Sequence, residues 1–154
     1  MKKIITLLLS LCLPIFVLSQ SQKEELEILQ GIYGKEKKTI VADFVIVEGA
    51  KGEAFWKLYD EYETKRKALG QERVALMEKY ASNYEKLDDA VTSKIIRETA
   101  DLGARTDKLV LTYYKKMEKE AGVKPAAQFY ELELYFLSAI RAAIFETIPV
   151  LQRK

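Results

Sequence analysis

The sequence predicts an all-α protein: an elongated antiparallel four-helix arrangement built on a long central helical hairpin. Three observations carry this. From Gly52 to Tyr84 the residues Phe55, Tyr59, Tyr62, Leu69, Leu76 and Tyr80 recur at intervals of three, four or seven, the spacing of one helix face and not the alternation of a half-buried strand. A second stripe, Val91, Ile95, Leu102, Leu109, Tyr113 and Met117, follows with the same period. The one strand-like run, Thr39 to Val47 (TIVADFVIV), has no second run to pair with, so helix is the better reading there too.

Taken in order, the chain of 154 residues opens with Lys2 and Lys3 before an apolar run, Ile4 to Leu18, that ends in Ser19 and Gln20. This is the pattern of a secretory signal peptide, with cleavage expected near Ser19. The run is broken by Pro14 and falls short of the roughly 20 residues that span a bilayer, so stable membrane insertion is not expected. Leu9 to Cys12 loosely matches a lipid-attachment box, but Leu11 stands where a small residue belongs. The division is therefore 1–19 as signal and 20–154 as one helical domain.

A first helix is expected from Lys23 to about Val47 on the stripe Leu26, Leu29, Ile32 or Tyr33, Ile40, Phe44 and Val47, with a bend or break at Gly31 and Gly34. Glu48 to Gly52 should turn, and the long second helix should run about 50 Å to Tyr84. Its face has a gap at Lys65, Arg66 and Lys67, read as a polar layer whose aliphatic stems lie on the core rather than as a basic binding patch. Asp88 or Asp89 can cap a third helix that continues to about Glu120. A hairpin tip near Lys86 would set Tyr62 against Leu109 or Val110, Phe55 against Met117, Arg73 near Glu98 and Arg66 near Asp107. Gly122 should end the third helix, and Pro125 suits the first turn of a fourth that Pro149 stops. That fourth helix is apolar nearly all round, so it is either central or covered by a partner.

Charge and composition narrow the function. Of 25 basic and 23 acidic residues, Lys2 and Lys3 make the whole surplus, so the mature chain is neutral and offers no basic stripe for nucleic acid. The single cysteine, Cys12, leaves with the signal. With no histidine, the triads, dyads and zinc motifs that depend on imidazole are excluded, and no metal or other cofactor is expected. Asp60 with Glu63, and Asp88 with Asp89, are the remaining paired carboxylates and fall where helix surfaces and caps place them. Nine tyrosines beside Trp56 are more than a short helical protein is expected to bury, and amphipathic rings among charges suit a protein-binding face.

Phe55-Trp56-x-x-Tyr59 followed by Tyr62, Lys65-Arg66 and LMEKYASNY (Leu76 to Tyr84) resembles the Spy/CpxP-like periplasmic proteins, the LTXXQ family. The resemblance continues through KPAAQFYELE (Lys124 to Glu133) to Ile148-Pro149. Where the family often carries Leu-Thr-x-x-Gln, this chain reads Val47-Glu48-Gly49-Ala50-Lys51. The resemblance implies a periplasmic, elongated, coiled-coil-like helical protein, often an antiparallel homodimer. It implies ATP-independent chaperoning of envelope proteins or damping of envelope-stress signalling.

The expectation is accordingly a non-enzymatic chaperone-like protein that holds unfolded or stress-damaged envelope proteins. Phe55, Trp56, Tyr59, Tyr62 and Arg66 are the expected client-binding residues, and Phe129, Leu132, Phe136 and Ile140 the expected dimer interface. The alternative is a regulator that docks on an envelope-stress sensor or anti-sigma partner. A structural coiled-coil protein is the blander third reading.

Overall fold

The computed structural model describes residues 36–84 and 87–147. The described residues form four helices and no strand: α1 (Lys37–Phe44), α2 (Gly49–Asn83), α3 (Asp89–Glu120) and α4 (Val123–Thr147). The all-α expectation holds. The signal-like segment, the chain from Lys23 to Lys35, the tip at Lys86 and Ile148-Pro149 lie outside the described residues. No described helix is long and apolar enough to cross a membrane.

Helices α2 and α3 form the hairpin. At 35 residues, α2 extends roughly 52 Å. The start of α3 is fixed by Asp88, whose carboxylate accepts the Val91 amide at 2.7 Å, satisfying one of the donors that a helix start leaves open. Its end is fixed by Gly122, at φ 108°, whose amide turns back onto the Met117 carbonyl at 3.1 Å. Helix α4 then runs back along α3, and the Arg141 to Asp107 hydrogen bond of 2.9 Å and the Tyr114–Tyr130 ring contact mark the antiparallel register.

Two expectations need correction. Helix α1 stops at Phe44 rather than Val47: Val45 has extended backbone (φ −92°, ψ 107°), and the β-branched run Val45-Ile46-Val47 leaves the helix, as its stiff side chains favour. The hairpin register also differs from the expected one. Glu98 accepts from Lys79, Arg105 donates to Glu72 across the hairpin, and Tyr62 meets Tyr113 of α3 where Leu109 or Val110 was expected. Asp107 accepts instead from Arg141 of α4. Surface ion pairs add too little to impose register, and the large apolar side chains decide it.

The core occupies the end of the hairpin where α3 hands over to α4. It comprises Phe55, Tyr59 and Tyr62 of α2, Val110, Tyr113 and Met117 of α3, Ala126, Phe129, Phe136, Leu137 and Ile140 of α4, and Ile40, Val41 and Val45 of the α1 segment. Towards the tip, among the described residues between 63 and 105, only Gly70, Ile95 and Leu102 are buried. That half is a two-helix arm. Helix α4 buries one face and leaves Leu134, Tyr135 and Phe145 exposed, so it flanks the bundle and is not enclosed by it.

Candidate functional site

Phe129 is the hub of an aromatic cluster that joins α2 to α4. Its ring meets Tyr62 at 5.0 Å, Tyr59 at 6.3 Å and Phe55 at 6.5 Å between centroids, each edge to face. Tyr62 also meets Tyr113 of α3 at 5.6 Å. Such pairs contribute about 0.5–1.5 kcal/mol each beyond the area they bury. The spacing Phe55, Tyr59, Tyr62 on one helix and Phe129, Phe136, Ile140 on the other places all six on facing stripes.

Within this apolar setting sits a charge cluster drawn from three helices. The Lys37 ammonium of α1 lies 2.7 Å from Glu63 of α2 and 2.7 Å from Glu133 of α4. Glu133 is 0% exposed and Lys37 5%. The Tyr62 hydroxyl donates to Glu133 Oε2 at 2.6 Å, and Arg66 donates through Nε to Glu63 at 2.8 Å. Lys37 Nζ also stands 5.3 Å from the centre of the Tyr62 ring and 5.4 Å from that of Phe136. Two carboxylates and two π-faces therefore surround one ammonium, a cage suited to a cation.

Titration behaviour follows from this geometry. Burial on its own would raise the Glu63 carboxyl, but Lys37 and Arg66 outweigh it and hold the group at about 2. Burial drives the Tyr62 phenol above its ordinary value, reinforced by Glu133, which accepts its proton in a hydrogen bond. Tyr59 is raised by burial and by the nearby Glu63 and Glu133 charges, and its hydroxyl has no hydrogen-bond partner among the described residues.

The residues assigned to clients and those assigned to a dimer turn out to face one another inside one chain. Phe55, Tyr59, Tyr62, Phe129, Phe136 and Ile140 are all core, with Phe136 and Ile140 at 1% and 2% exposure. In the folded monomer they offer no surface to a client or a second copy. Leu132 is partly buried against the same core, Arg66 is occupied with Glu63, and Trp56 is partly buried with Lys38 Nζ 5.6 Å from its ring. Of the basic triplet, Arg66 is half-buried beside Glu63 and Lys65 Nζ lies 5.5 Å from the Tyr113 ring, while Lys67 is exposed.

Sequence reasoning missed Lys37 and Glu133. Glu133 had a legible signal: it falls in the stripe Phe129, Glu133, Phe136, Ile140, where a lone carboxylate on an apolar face demands a cation. Lys37 had none, because Lys35-Glu36-Lys37-Lys38 reads as a solvated charge run.

Exposed apolar side chains stand at several places among the described residues, including Phe44, Ile46, Ile96, Val123 and Tyr135, and two of them, Leu111 and Leu134, lie along the outer seam between α3 and α4. Leu111 is 43% exposed and Leu134 40%. The helical steps Asp107, Leu111, Tyr114 and Tyr130, Leu134, Arg141 put them on one face, bracketed by the Tyr114–Tyr130 contact of 5.6 Å and the Asp107–Arg141 pair. Comparison with family models, curated proteins and solved structures returns no match.

Proposed function

We propose that this is an exported, non-enzymatic polypeptide-binding protein that holds unfolded or damaged envelope proteins without nucleotide, and that the α3–α4 seam is its contact surface. The observation that carries this reading is the exposed apolar seam itself. Leu111 and Leu134 stand open between half-buried tyrosines, and Asp107, Glu118 and Arg141 border them. Side chains of this mixture bind apolar segments weakly, while the bordering charges keep the free protein soluble. The signal-like start of the chain and the Spy/CpxP-like motifs support the compartment and the class of activity.

The test is an aggregation assay: the mature protein is added, without nucleotide, to a reduced or heat-unfolded model client, and light scattering is followed. Suppression near equimolar ratio is expected, and Leu111→Ser with Leu134→Ser should weaken it while leaving the helical content intact. Unchanged scattering with the folded protein would overturn the reading and move the weight to docking on one envelope-stress sensor, which capture of a single partner in stoichiometric yield would then have to show.

A further inference from the structure

The ammonium cage is built almost wholly from α2 and α4, yet its occupant comes from the shortest described helix. Helix α1 has eight residues, too few to be stable alone, and Glu36 at its start makes no side-chain cap. It is held by Lys37 in the cage, by Ile40, Val41 and Val45 on the core, and by the Gln128 side chain, which donates to the Phe44 carbonyl at 2.9 Å. Its connection to α2 has extended backbone at Val45 and Glu48 and then Gly49 at φ 60°, a pivot that glycine adopts without strain. The ring contacts of Phe129 with Phe55, Tyr59 and Tyr62, and of Tyr62 with Tyr113, use no residue of α1. Without α1, however, Glu63 and Glu133 would be left close together with no shared cation, and Tyr62 and Phe136 would be uncovered.

We propose that the α2–α4 face beneath α1 is a second binding site, for a partner segment that presents a helical lysine with apolar residues three and four positions on and another eight positions on, where the chain leaves the helix, and that α1 is its built-in competitor. Lys37, Ile40, Val41 and Val45 have this spacing, so the occupant now in place shows what the face accepts. Charge complementarity makes the same choice: Glu63 and Glu133 require an ammonium, while Tyr62 and Phe136 favour one whose stem and neighbours are apolar. The groups facing Lys37 are Tyr62, Glu63 and, through Glu63, Arg66 from α2, and Glu133 and Phe136 from α4. The inference takes from the proposed function only that the ligand is polypeptide, and a defined peptide tests it separately from any aggregation assay.

The experiment uses a fluorescent peptide of residues 36–48 and the full mature chain, read by anisotropy. Lys37→Met in the chain weakens the internal competitor, so the peptide should bind this variant at least tenfold more tightly than the wild type. Replacing the peptide's own lysine by methionine, or adding Glu133→Gln to the chain, should remove that gain. Equal affinity for wild type and folded Lys37→Met would overturn the proposal. Native-state hydrogen exchange on the wild type needs no variant. The Val45 amide, bonded to the Val41 carbonyl at 2.8 Å, should exchange at least tenfold faster than amides of Phe129 to Ile140, and with little denaturant dependence. Exchange of both only through global unfolding would sink the idea.

Discussion

Lys37 and Glu133 stand 96 positions apart in the chain and 2.7 Å apart in space, an ion pair from which water is almost fully excluded. Removing one charge from such a pair leaves the other uncompensated in low dielectric, which is costlier than the pair was favourable. Lys37→Met should therefore destabilise the protein by at most about 3–5 kcal/mol in denaturant unfolding, release of α1 setting the ceiling. Glu133→Gln should cost less, because Lys37 keeps Glu63. Combining Lys37→Met with Glu133→Leu should recover most of the loss, since Glu63 retains Arg66. Equal costs for both single variants would contradict the unequal sharing seen in the cage.

Acid should act through Glu63. Its folded value of about 2 lies below the ordinary 4.5, so the stabilisation is complete above about pH 4.5 and is lost as the pH falls through 2. The full effect is about 3 kcal/mol at roughly 1.4 kcal/mol per pH unit. The melting temperature should drop across this window, and Glu63→Gln should flatten that dependence. A profile as steep in the variant as in the wild type would place the acid sensitivity elsewhere.

Alkali tests the other side of the site. Tyr59 and Tyr62 hold their protons above the ordinary 10.0, so they stabilise the fold below pH 10, and this contribution is lost as the pH rises beyond it. In a spectroscopic titration of the phenolates, at least two of the nine tyrosines, Tyr59 and Tyr62, should stay un-ionised until the protein unfolds. Smooth ionisation of all nine from the folded state would contradict their burial.

Two glycines should respond with opposite sign. Gly122 needs φ 108°, so Gly122→Ala should cost about 1–2 kcal/mol through backbone strain alone, as an added Cβ meets nothing within 4 Å. Gly103 lies inside α3 with equally open space, and Gly103→Ala should stabilise by about 0.5–1 kcal/mol. Calorimetric melting of the two variants reads both.

Much of the fold was legible because period and punctuation agree: the stripes of α2 and α3, the Asp88 cap and the Gly122 stop all fall where local chemistry requires them. The site was less legible. Phe55, Tyr62, Phe129 and Phe136 are recognisably important from spacing, but a stripe does not say whether another helix of the same chain or another molecule covers it. Here the apolar face of α4 answers that of α2, which only the third dimension reveals. The register of α2 against α3 was likewise out of reach, because counting back from a tip assumes a symmetric turn.

The two-helix arm beyond Gly70 has a practical consequence. A short peptide tag or a pair of dye-labelled cysteines near Ser82 and Asp89 would sit many helical turns from Phe129 and the lysine cage. The tip can thus carry a reporter or a surface tether that leaves the lysine cage untouched.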